Sequence, residues 1–275
     1  MFFSPNKHFH QGFTLLELLI VIGIIGILSS IILVSYKGYS EKAKLSNTIQ
    51  WAKSVHSELG AHAVGGWSFD HIVGTTVLDD SGNGNNGTIY GATQVNGVSG
   101  EALSFDGVDD YVNVPISSAP NIFTITAWIY STVSNREQHI AEFTNMQFYV
   151  HSNRLGTSSW SNVSGAATLT TKKWYHVVCV RDGSQVKLYL DGNLDGSGGM
   201  LGANPISPFV IGDLYNHAGN YHFSGFIDDV RIYSEALTQA QIQQYYAEGL
   251  KTHQNLAQIE NSQSAPRLNQ LQIQH

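Results

Sequence analysis

Residues 174–192, WYHVVCVRDGSQVKLYLDG, form an apolar strand-like run before Asp182-Gly183 and alternate apolar and polar side chains after it. Alternation with a period of two is typical of a β-strand, and an Asp-Gly pair between two such runs is a strong signal for a tight turn. We therefore expect two antiparallel strands here. Cys179, the only cysteine of the chain, lies in the first strand and is expected to be a buried, inert thiol.

The same pattern continues on both sides of this hairpin. The chain has 27 glycines against 6 prolines, which fits a turn-rich β architecture. About a dozen short strands are predicted between residues 64 and 249, and two packed antiparallel sheets accommodate them best. Other alternating runs and turn signals are TITAWIYS, MQFYVHS, FIDDVRIY, SGNGNNG, Asp106-Gly107, Asp191-Gly192 and Gly198-Gly199.

One segment near the end of this region, TQAQIQQYYAEG, has a helical pattern instead. Thr238 and Gln241 have the spacing of a capping box, and Gly249 is placed to end the helix. A short closing helix is therefore predicted. Beyond it, residues 250–275 are rich in Gln and Asn and are predicted to form a polar, flexible tail.

The N-terminal part predicts one long helix. Residues 13–36 contain a single ionisable group and are long enough to cross about 30 Å of hydrocarbon. The helical pattern then continues as an apolar stripe, with Gly60 placed as the stop. The first half would be transmembrane and the second half amphipathic. The stripe comprises Leu45, Ile49, Ala52, Val55 and Leu59.

Charge divides the chain unevenly. Residues 64–248 contain 17 acidic and 7 basic side chains, a formal charge of −10, whereas the whole chain carries −7. The acidic character of residues 64–248, called the head below, argues against nucleic acid as a partner, because phosphate binding needs a basic surface. It is compatible with cation binding.

Glu17 is the unexpected feature of the apolar run. A carboxylate inside a membrane is costly and needs a partner or a function, yet no Lys or Arg lies within helical reach. Cleavage after Gly12 would create an α-amino group at Phe13, four residues away. That amine could pair with Glu17 of a neighbouring helix. An uncleaved signal anchor is the alternative, and a secretory signal peptide is disfavoured because the run is too long.

The stretch GFTLLELLIVIGIIGIL, residues 12–28, resembles the class III signal of type IV prepilins and pseudopilins. The resemblance implies that a prepilin peptidase cuts between Gly12 and Phe13 and that Phe13 is N-methylated. It also implies that Glu17 pairs with the N-terminal amine of an adjacent pilin subunit during filament assembly. The chain would then sit in the inner membrane before assembly and on a prokaryotic filament or cell surface afterwards.

The following region resembles laminin G-like, concanavalin A-like jelly rolls of bacterial surface proteins, over nearly the whole of residues 64–249. Stretches that carry the resemblance are GEALSFDGVDDYVNVP, WYHVVCVRDGSQVKLYLDG and FSGFIDDVRIYSEALTQAQIQQYYAEG. The expected organisation is a leader (1–12), a pilin-type helix (13–62, transmembrane over 13–36), a jelly-roll sandwich with a short C-terminal helix (63–249) and a tail (250–275).

A calcium site is the best chemical candidate in the head. The loop LDDSGNGNN, residues 78–86, offers hard oxygen ligands, and calcium takes about six to eight of them. In related jelly rolls an acidic residue of the last core strand joins such a loop. The alternative is that these residues are ordinary turn formers. The expected ligands are Asp79, Asp80, Asn83, Asn85, and Asp228 or Asp229.

Other candidates concern sugars. Trp160, Tyr215 and Tyr221 could stack on sugar rings, although aromatic residues of a sandwich are more often core. Asp109 and Asp110 could form a glycosidase pair, but fold-stabilising carboxylates at a turn are the preferred interpretation. No arrangement of nucleophile and base is found around His176, so no enzymatic activity is expected.

The sequence therefore predicts a pilin-like or pseudopilin subunit, a minor or tip component, whose head binds a glycan or a surface protein. A membrane-anchored carbohydrate-binding module or degradative enzyme is the first alternative. A structural spacer without a soluble ligand is the second.

Overall fold

The computed structural model describes residues 15, 19, 20, 22, 60–116, 120–158, 162–199, 206–214 and 219–251. Contacts divide the chain into two compact units, Met1–Val55 and His56–His275. In the first unit Leu15, Leu19, Ile20 and Ile22 are helical and exposed. The predictions for Gly12, Phe13, Glu17, the amphipathic stripe and residues 252–275 lie outside the described residues. Among the described residues, no helix has the length and apolar character needed to cross a membrane.

The described part of the second unit is a β-sandwich with a short closing helix and with residues 60–62 also helical. The helix, α1, covers residues 239–251. Seventeen strands are described, more than the predicted dozen because several have only two residues: β1 Ala63–Trp67, β2 Ile72–Val73, β3 Thr76–Val77, β4 Gly87–Tyr90, β5 Thr93–Asn96, β6 Glu101–Asp106, β7 Tyr111–Val114, β8 Phe123–Ser131, β9 Gln138–Phe143, β10 Met146–His151, β11 Arg154–Ser158, β12 Val163–Ser164, β13 Trp174–Arg181, β14 Gln185–Leu190, β15 Asn193–Gly199, β16 Phe209–Ile211 and β17 Ser224–Tyr233.

These strands form two antiparallel sheets, as the sequence predicts. The first has the order β15-β14-β13-β8-β17-β6-β5, with β1 also paired to β17. The second has the order β12-β11-β10-β9-β16-β7-β4-β3-β2. The hairpin of residues 174–190 is confirmed as β13 and β14, in which Val180 pairs with Lys187.

The core lies between the two sheets and is rich in aromatic side chains. Trp67 stacks on Phe209 with ring centroids 5.7 Å apart, and Phe143 lies 5.0 Å from Phe209. Each such side chain stabilises the fold by about 1.5–3 kcal/mol through burial. Cys179 is fully buried, as predicted, and burial raises the pKa of its thiol, which keeps it unreactive.

The closing helix α1 begins at the predicted capping box. The Thr238 backbone N–H donates to Gln241 Oε1 at 2.8 Å, and the Gln241 N–H donates to Thr238 Oγ1 at 3.3 Å. The prediction that Gly249 ends the helix is wrong, because the helix continues to residue 251. A Cβ at Gly249 would lie 2.6 Å from Trp128 Cζ2, so glycine is needed here for close packing. Likewise, residues 60–62 are helical, so Gly60 does not stop its helix.

A β-bulge in β17 positions the candidate site. The pairing of β17 with β8 shifts register between Asp228 and Arg231, and Asp229 has a φ of 46°. A non-glycine residue rarely adopts this left-handed conformation, and bulges redirect side chains. On the other side of β17, strand β1 pairs with its own register shift between Ala63 and Gly65, and Gly66 lies opposite Arg231.

Candidate functional site

The Asp79 carboxylate organises the 78–86 loop through backbone amides. Its Oδ1 accepts hydrogen bonds from the N–H groups of Gly66 at 3.0 Å and Ser81 at 2.9 Å. Its Oδ2 accepts one from the Asn85 N–H at 2.9 Å. Asp79 therefore fastens the loop to β1, which is the turn-forming role that the sequence left open.

The two predicted asparagine ligands, Asn83 and Asn85, use their side-chain amides to donate hydrogen bonds to backbone carbonyls. Asn83 Nδ2 donates to the Ala63 carbonyl at 2.7 Å, and Asn85 Nδ2 donates to the Val64 carbonyl at the same distance. The Asn85 carbonyl also accepts from Trp67 Nε1 at 3.0 Å. These bonds hold the loop along β1.

Asp80 lies at the end of the same loop and is more accessible. Its Oδ2 accepts from the Ser68 N–H at 3.0 Å, and its Oδ1 lies 3.1 Å from His71 Nδ1. Burial alone would raise the pKa of Asp80, but the hydrogen bonds from Ser68 and His71 outweigh burial and lower it. Asp80 is therefore a charged group at neutral pH.

The two aspartates of β17 face different surroundings. Asp228 is fully buried, and its Oδ2 accepts from the N–H groups of Val98 at 2.7 Å and Ser99 at 3.2 Å. Its Oδ1 has no hydrogen-bond partner in the described part of the chain. Burial raises the pKa of Asp228 to about 8. Asp228 is thus directed away from the 78–86 loop.

Asp229 instead pairs with Arg231. Arg231 Nε donates to Asp229 Oδ1 at 2.8 Å, and the guanidinium carbon lies 5.7 Å from the centroid of the Tyr245 ring. Burial alone would lower the pKa of Arg231, but the Asp229 carboxylate raises it above its ordinary value. The guanidinium is therefore charged and held in one orientation.

A cavity of about 300 Å³ lies between β1, β17, the 78–86 loop and α1. Asp80, Asp229, Arg231 and aromatic residues line it together with residues of β1. This is the lower end of the size range of small-molecule sites, about 300–1,000 Å³. The lining residues are Gly60, Ala63, Gly65, Gly66, Trp67, Asp80, Ser81, Asp229, Arg231, Tyr233 and Tyr245.

The predicted calcium ligands converge only in part. Asp80 and Asp229 line one cavity, whereas Asp79 binds backbone amides and Asp228 faces Val98 and Ser99. Two carboxylates supply at most four of the six to eight oxygens that calcium takes, and the Arg231 guanidinium opposes a cation beside Asp229. The residues present therefore do not form a complete calcium shell, and calcium binding stays a prediction.

A second group of charged side chains, missed by the sequence analysis, lies on β9. A register shift in the pairing with β10 places His139 and Glu142 on one side of the strand, with Nδ1 2.9 Å from Oε2. His139 Nε2 lies 3.1 Å from Glu137 Oε1. Burial alone would lower the pKa of His139, but the two glutamates raise it. The sequence feature that could have predicted this cluster is the presence of three ionisable residues within EQHIAEF, residues 137–143.

Of the predicted sugar-stacking residues, only Tyr221 is described. Its ring lies 5.2 Å from that of His139, and its side chain is 38% exposed. Tyr221 is therefore associated with the β9 cluster and not with the cavity. Trp160 and Tyr215 lie outside the described residues.

Asp109 and Asp110 lie with Asp106 in a group of three carboxylates within 4.8 Å of one another. Asp110 Oδ2 accepts from the Asp106 N–H at 2.7 Å, and Asp106 Oδ1 accepts from the Val108 N–H at 2.7 Å. Burial raises the pKa of Asp110. These bonds to backbone amides support the interpretation of the group as a stabiliser of its turn.

The fold and its cavity place the head in the class of jelly-roll β-sandwiches. Residues 106–243 match the family model of the concanavalin A-like lectin/glucanases superfamily, and residues 7–33 match the prokaryotic N-terminal methylation motif. The chain therefore belongs to the concanavalin A-like lectin/glucanases superfamily and carries a pilin-type N-terminal signal. Both resemblances inferred from the sequence are confirmed.

Sequence relatives include pilus proteins. The fimbrial protein EcpC of Eikenella corrodens is 33% identical over 105 residues, which cover 37% of this chain and 68% of EcpC. The type IV major pilin PilE1 of Neisseria gonorrhoeae is 32% identical over 36% of this chain and 46% of PilE1. A 29% identical match to adhesion G-protein coupled receptor V1 of Danio rerio covers 38% of this chain and 2% of the receptor.

Solved structures agree on the fold. Domain 4 of the extracellular arabinanase AbnA from Geobacillus stearothermophilus, solved with arabinotriose, has a TM-score of 0.55 and 21% identity. It covers 66% of this chain and 96% of that domain. Trypanosoma rangeli sialidase has a TM-score of 0.56 and 16% identity, over 68% of this chain and 33% of the sialidase. At these identities the likeness concerns the fold alone.

Proposed function

We propose that this protein is a type IV pilin-like or pseudopilin subunit, a minor or tip component, whose jelly-roll head binds a ligand at the cell surface. The proposal rests on the observation that a pilin-type signal at residues 7–33 precedes a head with a polar and aromatic cavity. A filament core needs only the apolar helix, so the presence of a cavity supports a separate binding role for the head. The pilus proteins among the relatives support the assembly part of the proposal.

In this proposal a prepilin peptidase cuts between Gly12 and Phe13, and the new amine at Phe13 is methylated. The apolar segment 13–36 first lies in the inner membrane and then enters a helical filament core. There Glu17 pairs with the amine of an adjacent subunit, which replaces an uncompensated carboxylate by a charge pair. The head of nearly 190 residues projects outward. Heads of this size pack laterally with difficulty, which favours a minor component.

A membrane-anchored carbohydrate-binding module or degradative enzyme is the second candidate. It is favoured by the likeness of the head to an arabinanase domain and to a sialidase. It differs in expecting sugar binding or hydrolysis by a protein that never enters a filament. The third candidate, a structural spacer, expects assembly without any ligand.

Mass spectrometry of the mature protein together with fractionation of sheared filaments tests the proposal. We expect a mature chain that begins with N-methylated Phe13 and occurs in the filament fraction, where immunogold labels few positions or the tips. An intact Met1, or a cut elsewhere, would contradict it. Correct processing with retention of all protein in the membrane would favour the anchored module instead.

A further inference from the structure

We propose that the 78–86 loop is a tension-bearing lock on strand β1, which keeps the head folded when a load pulls on it through residues 60–62. Only the origin of that load rests on the proposed function. A subunit whose helix lies in a filament core and whose head holds a ligand is pulled where the chain enters the head. That point is Ala63, the first residue of β1.

One edge of β1 is paired with β17 in the ordinary way. Four residue pairs join the two strands, the first of them Ala63 with Tyr233. The His62 carbonyl in addition accepts from the Ser234 N–H at 2.8 Å and from Ser234 Oγ at 3.1 Å. This edge is therefore bonded from the residue before β1 onward.

The opposite edge of β1 is bonded by the 78–86 loop in place of a strand. Among the described strands, β1 pairs with β17 alone. The bonded residues of β1 are two apart, as they are when a strand pairs with a neighbour. The lock comprises four bonds: Asn85 Nδ2 to the Val64 carbonyl (2.7 Å), the Gly66 N–H to Asp79 Oδ1 (3.0 Å), the Asp80 N–H to the Gly66 carbonyl (2.8 Å) and the Ser68 N–H to Asp80 Oδ2 (3.0 Å).

The lock also joins the two sheets. The loop lies between Val77, the last residue of β3, and Gly87, the first of β4, and both strands belong to the second sheet. Asp79 braces the loop, because its Oδ2 accepts from the Asn85 N–H and its own N–H donates to Asn86 Oδ1, both at 2.9 Å. A load that enters at β1 is therefore divided between β17 in one sheet and β3 and β4 in the other.

A load along β1 acts on all of these bonds at once. Ladder bonds of antiparallel strands run perpendicular to the strands, so a pull along the strand shears them together. Such a pull arises when the head is held at the end that Trp174 marks. Trp174 pairs with Tyr130, which pairs with Phe226. Ala63 pairs with Tyr233, at the opposite end of β17.

The bonding exceeds what covering a sheet edge requires. Proteins commonly blunt an exposed edge with charged side chains, prolines or short strands. Here the loop bonds the backbone of β1 at alternate residues, and Trp67 Nε1 adds a bond to the Asn85 carbonyl at 3.0 Å. Forced unfolding is governed by the unfolding rate, and bonds that must break on the way to the transition state slow it. The loop is thus placed to lengthen the lifetime of the loaded head.

The test is force-clamp spectroscopy of the full chain in detergent, held by thiol handles at two positions. Gly60→Cys with Lys173→Cys loads β1 along its length, because Lys173 precedes Trp174 at the far end. Both positions are exposed, and a Cβ at Gly60 would meet no atom within 4 Å. The native Cys179 is fully buried and burial raises the pKa of its thiol, so it takes no handle.

Asn85→Ala removes one bond of the lock and should raise the unfolding rate at constant force about fivefold under this load. Asn193→Ala is the matched control, because it removes a bond of the same kind, from Asn193 Nδ2 to the Asp191 carbonyl at 3.1 Å, on β15. It should leave the rate unchanged. Asn83→Ala removes the bond to the Ala63 carbonyl at 2.7 Å and serves as the second variant if Asn85→Ala fails to fold.

A second pair of handles, Gly60→Cys with Lys251→Cys, separates the lock from ordinary stability. Lys251 is the last residue of α1, so this load peels off α1 and then β17 from its Tyr233 end, opening bonds one after another. The lock is not the first structure loaded in this direction. Asn85→Ala should therefore leave this rate within about twofold of the wild type, as for an ordinary surface change.

Equal unfolding rates of Asn85→Ala, Asn83→Ala and the wild type under the first load would overturn the lock, and the loop would then only cover an edge. An equal rise under both loads would also overturn it, because lost stability rather than the direction of the load would be the cause. Absence of the protein from filaments would contradict the proposed function, whereas a direction-dependent effect of Asn85→Ala would still uphold the lock.

Discussion

Asp228 and Asp229 are neighbours in the chain, yet their carboxylates bind different partners: Asp228 accepts from the Val98 N–H at 2.7 Å, and Asp229 accepts from Arg231 Nε at 2.8 Å. The bulge at Asp229 separates them. One carboxylate is buried with a raised pKa, and the other helps to line the cavity.

Asp228 makes the stability of the head depend on pH. In the folded head its pKa is about 8, whereas the ordinary value is 3.8. Between about pH 4 and 8 the unfolded chain therefore binds fewer protons, and the free energy of unfolding falls as pH rises. We expect Asp228→Asn to reduce this loss, so that its Tm exceeds that of the wild type by several degrees at pH 8. Each kcal/mol shifts Tm by about 2–4 °C at this size.

Asp229→Asn is a graded comparison, because the Asp229 carboxylate also helps to raise the pKa of Asp228. It should reduce the fall of Tm between pH 4 and 8 without abolishing it. If Tm fell equally with pH in Asp228→Asn and in the wild type, Asp228 would not be the group that makes stability depend on pH.

His139 stabilises the second sheet as an imidazolium between Glu137 and Glu142. Its pKa is raised above the ordinary 6.5, so this stabilisation is present below about pH 6.5 and is lost as pH rises through the raised value. We expect His139→Gln to cost about 3–5 kcal/mol at pH 6, because it removes the cation beside a buried carboxylate. Denaturant melts at pH 6 and 9 measure this, with the smaller cost expected at pH 9.

His151→Gln is the control for that series. His151 also contacts Glu137, at 3.1 Å, but its side chain is 56% exposed. Its cost should stay below about 1 kcal/mol, as for exposed ion pairs. Equal costs for the two variants would refute a special role for His139.

The capping box of α1 gives a prediction without charge effects. Thr238→Ala removes the hydroxyl that accepts from the Gln241 N–H and should lower the free energy of unfolding by about 1 kcal/mol. Gln239→Ala, an exposed change one residue later, should leave it within about 0.5 kcal/mol. A Thr238→Ala protein as stable as the Gln239→Ala protein would show that the cap contributes nothing.

Calcium binding by the 78–86 loop is tested by melting with EDTA and with added calcium. A bound ion raises Tm by mass action, so the calcium hypothesis predicts a lower Tm in EDTA for the wild type. Asp80→Asn should then be insensitive to EDTA. An unchanged wild-type Tm would contradict calcium binding. The hydrogen bonds from backbone N–H groups to the Asp79 carboxylate would then be the main interactions that hold the loop.

Substitution of Glu17 tests the proposed charge pair between Glu17 and the N-terminal amine of an adjacent subunit. Glu17→Val removes the carboxylate but leaves the Gly12–Phe13 bond intact, so we expect normal cleavage and strong loss from filaments. Gly12→Val should instead leave Met1 in place. Filaments that contain Glu17→Val at the wild-type level would argue against a pair between Glu17 and the N-terminal amine.

Local patterns were sufficient for much of this protein. Periodicity of two and Asp-Gly turns predict the hairpin of residues 174–190, and the spacing of Thr238 and Gln241 predicts the start of α1. The sequence GFTLLELLIVIGIIGIL carries the pilin-type signal by itself. The hairpin and the cap depend on contacts between near neighbours and the signal is a linear motif, so residue identity and spacing are enough for all three.

The cavity was decided by tertiary structure. Gly66, Asp80, Arg231 and Tyr245 are far apart in sequence, and only the pairing of β1 with β17 and the docking of α1 bring them to one cavity. Alternation along FIDDVRIY could not tell Asp228 from Asp229, because a bulge breaks the period and sends each carboxylate to a different partner. The sequence alone therefore determined the class of protein and its β-sheet character, whereas packing between distant strands determined where a ligand could bind.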